Sequence, residues 1–182
     1  LLLYNTLMKI PGNFNFKDPK ATKIYEGGYQ YFHEQTMYCE ENFEVFRNKE
    51  SKNLHFFSEL NTRTSDGQVF NVKVSYLVNK SYIPTIVNVT KDIGKDKISE
   101  TYIYLESTNT LVYEFRSNST KNSIEIKPPP KFYISAPSTV QSMTFLLSKR
   151  FDNSDQNYYS LYHGQKSWNY ESPPQIIDIN AR

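Results

Sequence analysis

Alanine is almost missing from this sequence. Among its 182 residues only Ala21, Ala136 and Ala181 are alanine. Alanine is the residue that costs least in a helix, so a chain this poor in it is not built mainly from helices. Cysteine is scarcer still: Cys39 stands alone, which excludes a disulfide within the chain. No apolar run approaches the roughly 18 residues that a membrane-crossing helix needs. Neither sign of charge prevails, since 21 Lys and Arg face 19 Asp and Glu and leave a net charge of +2. A balance that even offers no strong pull toward polyanions, and no nucleic-acid partner is expected. Motifs that announce chemistry are also lacking. There is no CxxC or HxxxH spacing for a metal, no GxSxG around a serine and no glycine-rich phosphate loop.

What the chain does hold is aromatic side chains: 15 Tyr, 12 Phe and one Trp. Aromatic and β-branched residues suit a pleated, half-buried surface, so composition leans to β. At this length a single domain buries enough surface to fold without staples. Residues 1–28, broken by Pro11-Gly12, Asp18-Pro19 and Gly27-Gly28, read as a lead-in, and 29–182 as one β-rich domain.

The clearest strand runs from Gln68 to Val78. Phe70, Val72, Val74, Tyr76 and Val78 alternate with Asn71, Lys73, Ser75 and Leu77, the period of a strand with one buried face. Ser65-Asp66-Gly67 is a hairpin signal that joins it to Leu54–Thr62. Tyr29–Tyr38, Asn42–Phe46, Ile83–Val89, Thr101–Leu105 and Leu111–Phe115 read as further strands. Turns are expected at Ile93–Asp96 and Ser107–Asn109. Pro128-Pro129-Pro130 is a stiff break, after which the strand pattern resumes at Phe132. Ser138 and Gln141 have the spacing of a capping box, and Val140, Met143, Leu147 and Phe151 recur at helical intervals. These predict one helix near 138–150 with its apolar stripe on the sheet. Tyr158–Tyr162 and Lys166–Tyr170 would close the chain as a hairpin. The expected fold is therefore mainly β: a single curved antiparallel sheet, an open half-barrel or lipocalin-like barrel, with that one helix packed on it. The barrel comparison is one of general plan, with no shared motif.

Candidate sites are sparse. His33, Glu34, Cys39 and Glu40 are metal-ligand types, but along one strand His33 and Cys39 would stand about 20 Å apart, so no metal is expected. Glu40, Glu41 and Glu44 are carboxylates close in sequence. Neighbours on a strand face opposite ways, so these read as a solvated turn and not as an acid-base pair. His163 lies near Asp152, Asp155 and Ser160 in sequence, which does not establish a catalytic triad. His55 reads as a satisfied sheet residue, and Cys39 as a spectator thiol. The lysines around the proline break and around residues 91–97 are interrupted by Asp92, Asp96 and Glu125, unlike a basic groove.

The tyrosines carry the leading functional expectation. Tyrosine joins an apolar body to a polar tip, and a curved sheet with a single helix leaves its concave face open. That predicts a non-enzymatic binding protein for a hydrophobic, lipid-like ligand, held by Tyr76, Tyr102, Tyr104, Tyr113 and Trp168, with no cofactor. Two alternatives stand beside it. One is a β-sandwich interaction module that works through loops or an edge strand. The other is an isomerase- or cyclase-like enzyme, with His33, Glu114, Arg116 and His163 as candidates. A lone cysteine suits a reducing compartment. A periplasmic or secreted setting after removal of a signal peptide is the other expectation, and oligomeric state is left open.

Overall fold

The computed structural model describes residues 18–63, 67–144, 147, 158–162 and 172–179. Eight strands follow one another as a meander: β1 (Ala21–His33), β2 (Thr36–Asn48), β3 (Leu54–Arg63), β4 (Val69–Val78), β5 (Pro84–Ile93), β6 (Asp96–Leu105), β7 (Thr110–Arg116) and β8 (Lys121–Ile126). Each pairs antiparallel with its neighbour in sequence, so strand order in the sheet equals chain order. The sheet is open and half-barrel-like and does not close on itself. A smaller sheet is built from β9 (Phe132–Ile134), β10 (Tyr158–Tyr162) and β11 (Gln175–Ile179), with β10 parallel to β9 and antiparallel to β11.

The fold is mainly β, in agreement with composition and alternation. One face of the large sheet carries Phe43 and Val45, Leu54 and Phe56, Val72, Val74 and Tyr76, Val87 and Val89, Tyr102 and Tyr113, all buried. This inner face does not lie open. The β9 and β10 strands and residues 136–144 pack on it, adding Phe132, Ile134, Val140 and Leu161 to the same apolar cluster. The Ile134 amide donates to the Tyr76 hydroxyl at 3.1 Å, and Phe132 meets Tyr104 edge-on with ring centres 5.0 Å apart.

Several local expectations are corrected. Tyr29–Tyr38 is not one strand. The chain reverses at Glu34-Gln35, where Glu34 adopts φ 53°, and His33 pairs across the turn with Thr36. β1 starts at Ala21, so Gly27-Gly28 sits inside a strand and not before one. A Cβ at Gly27 would stand 2.9 Å from the far end of the Phe43 ring, which would have to shift. That ring lies over the glycine, stacked between Tyr25 (5.8 Å) and Tyr29 (5.3 Å), an aromatic covering a strand glycine from across the pair. β8 and β11 were not expected.

The helix near 138–150 is present in part. Residues 142–144 and 147 are helical, and the rest of 145–150 lies outside the described residues. The capping box does not form. The Ser138 hydroxyl donates to Glu41 instead, and the Gln141 amide donates to the Ala136 carbonyl. Val140 is buried as expected, but Met143 faces solvent and Thr144 takes the inward position. Phe151 and Lys166–Tyr170 lie outside the described residues, as does Asp66 of the β3–β4 turn.

Candidate functional site

Three of the expected ligand-binding tyrosines lie in one row across the sheet. Tyr76 on β4, Tyr102 on β6 and Tyr113 on β7 are linked through Val87 by strand register. They are 0–2% exposed. Tyr102 and Tyr113 meet ring to ring at 4.8 Å. Their polar tips are engaged by protein: Tyr76 accepts from Ile134, and Tyr113 donates to Glu100 at 3.0 Å. Burial pushes the hydroxyls of Tyr76 and Tyr102 well above the usual phenol range. Tyr104 is half-buried at the end of β6, and its hydroxyl donates to Asn109. Trp168 lies outside the described residues, as does His163.

Two buried polar clusters accompany this row. Lys91 on β5 and Glu100 on β6 form an ion pair at 3.2 Å with both side chains about 93% buried (7% and 6% exposed). Tyr113 completes this group from β7.

The second cluster centres on Glu41, which corrects the reading of Glu41 as part of a solvated turn. Glu41 shares the parity of Cys39, Phe43 and Val45 on β2 and is fully buried. Its carboxylate accepts hydrogen bonds from the hydroxyls of Tyr31 (2.5 Å), Ser58 (2.7 Å) and Ser138 (2.6 Å), and from the Thr139 amide (3.0 Å). Burial alone would raise its pKa, but the bonds from Ser138, Tyr31, Ser58 and Thr139 together outweigh that and hold it below the ordinary 4.5. Tyr31, half-buried beside this carboxylate, is pushed up to about 12 by desolvation and by its bond to Glu41. An ionised, saturated carboxylate of this kind is a poor general base, and it works as a pin between β2 and the segment that covers the sheet.

The enzyme candidates do not converge. His33 is exposed at the end of β1, whereas Glu114 and its partner Arg116 (2.7 Å) lie on β7 near the far edge. On the outer face, the His55 ring approaches the Ser75 hydroxyl at 2.7 Å and packs on Phe57. Burial lowers this histidine to about 4, partly offset by the charge of Asp18, so it is neutral near pH 7. His33 and Cys39 fall on adjacent strands, because the turn at 34–35 intervenes. Even so, among the described residues no group of three His, Cys, Asp or Glu side chains is placed to hold a metal ion.

The exposed features concentrate elsewhere. Of nine large hydrophobic side chains exposed among the described residues, Ile24, Tyr25, Phe32, Met37 and Tyr38 lie on the β1–β2 hairpin. Among the described residues β1 pairs with β2 alone, so it forms an edge of the large sheet. Its register is interrupted between Lys23 and Tyr25 and again between Tyr31 and Phe32. Between these irregularities, Tyr25–Tyr31 runs as seven regular residues that include no Pro and no Lys or Arg. A groove of about 550 Å3 borders this stretch on the outer face, lined by Glu26, Asn42, Glu44, Phe57, Glu59 and Lys73. Gly28 puts no side chain of its own into the outer row shared with Asn42 and Glu59, and the Asn42 side chain lies over it. No helix among the described residues is long and apolar enough to cross a membrane. No protein family, curated protein or solved structure matches this chain.

Proposed function

We propose that this chain is a protein-interaction module that binds an extended segment of a partner by adding it as a strand to β1. The observation that carries the reading is the regular edge stretch Tyr25–Tyr31, which has a strand partner on one side only among the described residues and an exposed aromatic surround. An exposed edge offers a row of backbone donors and acceptors ready to template another strand. Proteins usually blunt such edges with charge, proline or short length. The opposite edge follows that rule: β8 has six residues and exposes Lys121, Ser123 and Glu125. The β1 edge is blunted at its ends, by Lys23 and the two irregularities, and left regular between them.

The tyrosine row has less in favour of a ligand role. Tyr76, Tyr102 and Tyr113 fill a core already closed by β9 and Val140, which is the packing expected of an interaction module and not of an empty concavity.

The reading is tested by selecting ten-residue peptides from a random display library and following backbone amide exchange. Selected peptides are expected to protect Tyr25–Tyr31, and N-methylation of alternate peptide nitrogens is expected to abolish binding. Tight peptides that leave β1 exchange unchanged would overturn it, as would a hydrophobic molecule retained among Tyr76, Tyr102 and Tyr113 on purification.

A further inference from the structure

The two faces beside the β1 edge differ in chemistry. On the inner side, Tyr25, Tyr29 and Tyr31 stand in line with the Phe43 ring between the first two. On the outer side, Glu26 is paired with Glu44 and Gln30 with Glu40, and Glu59 lies behind Asn42. The cations on the outer face of β1–β3 are Lys23, which is shared between Glu26 and Glu44, and Arg63 at the end of β3. Lys73, on β4, is engaged with Glu59. Four carboxylates therefore face two cations across the three strands nearest the edge.

We infer, building on the strand-addition reading, that the partner segment alternates apolar and basic residues. Its apolar side chains would lie against Tyr25, Tyr29 and Tyr31, and a Lys or Arg would lie on the outer face beside Glu26, which lines the groove. A strand added to β1 lies about 4.8 Å beyond it and puts alternate side chains on opposite faces. A residue opposite Gly28 meets the Asn42 side chain, which lies over that glycine, and its diagonal neighbour on the outer face is Glu26, which with Glu44 behind it is within reach of a long basic side chain. The groove continues past Asn42 to Glu59. The same charges argue against a second copy of this chain as occupant, because self-pairing along β1 would bring two acidic outer faces together.

Three nine-residue peptides test this, in which valine alternates with lysine, glutamate or serine. Binding is read by fluorescence anisotropy of labelled peptide, and its location by amide exchange over Tyr25–Tyr31. The lysine peptide is expected to bind about tenfold more tightly than the glutamate peptide at low ionic strength, with the gap shrinking in 0.5 M salt as screening shortens to a few ångströms. Glu26→Lys, at an exposed position that the fold does not depend on, is expected to erase the preference. Equal binding of all three peptides with β1 protected would overturn the basic partner and leave strand addition standing. Association of the chain with itself through β1, seen by sedimentation, would do the same. Protection of β1 by no peptide would overturn both.

Discussion

At the scale of single residues, Glu41 decides more than any other polar group. A buried carboxylate is stable only where donors replace its lost water, and here three hydroxyls and an amide do so. Glu41→Gln keeps the shape but loses the charge that strengthens each bond, and it turns an NH2 toward hydroxyls that must then reorient. The expected cost is about 2 kcal/mol by urea unfolding at pH 7. The pH dependence has a definite sign. The folded pKa lies below the ordinary 4.5, so the contribution is fully present above 4.5 and is lost as pH falls through the folded value. The gap between wild type and Glu41→Gln should therefore be constant from pH 7 down to about 5 and narrow below 4.5; a gap unchanged at pH 3 would show that charge plays no part. Glu41 was legible in principle. It shares parity with Cys39, Phe43 and Val45, an otherwise apolar set, although the adjacent Glu40 and Glu44 give the whole stretch a wet character in sequence.

At the scale of elements, alternation found the strands whose two faces differ most. β4 was plain because Val72, Val74, Tyr76 and Val78 oppose Asn71, Lys73 and Ser75, and β3 and β7 followed with small shifts of boundary, whereas β6 begins five residues before the expected Thr101. The β1–β2 turn was hidden because it is made by Glu34 and Gln35, without the Gly or Asn that usually supplies a positive φ. The capping box failed for a different reason: a tertiary partner, Glu41, outcompeted the local bonds that Ser138 and Gln141 could make. The β5–β6 pairing carries a prediction of its own. Lys91 and Glu100 hold each other inside a low-dielectric region, where removing one partner strands the other charge. Lys91→Met is expected to destabilise by about 3–5 kcal/mol. Adding Glu100→Leu should recover most of that loss, less the bond from Tyr113. A thermal or urea series of the two single variants and the double variant measures the coupling, and simple additivity would refute it.

At the scale of the whole molecule, the two sheets differ in how they are held. Every pairing in the large sheet joins strands adjacent in sequence, so the meander is assembled from short loops. The small sheet is unlike it. β9 and β10 are parallel, and a connection of more than twenty residues separates Ile134 from Tyr158. That layer was only partly legible, since the strands are short and a parallel pairing depends on distant partners and not on local alternation. Among the described residues its links to the large sheet are Phe132, Ile134, Val140 and Leu161 in the core cluster with Tyr133, Ala136 and Tyr159 packed against it, the ring contacts of Phe132 and Tyr133, the Ile134–Tyr76 bond and the Glu41 pin with its neighbouring Tyr31–Thr139 bond. Local stability follows such contacts, so the small sheet with residues 136–144 should open at a lower free energy than β4–β7. Native-state hydrogen exchange in low urea measures this directly. Amides of Ile134 and Thr139 should exchange through a sub-global opening, and those of Val74 and Val89 only through global unfolding. Glu41→Gln should lower the first opening energy by more than it lowers the second, because the pin joins the cover to the sheet and is not part of the ladder itself. If both sets of amides exchanged at one common free energy, the cover and the large sheet would be a single cooperative unit, and Glu41 would stabilise the molecule without governing its opening.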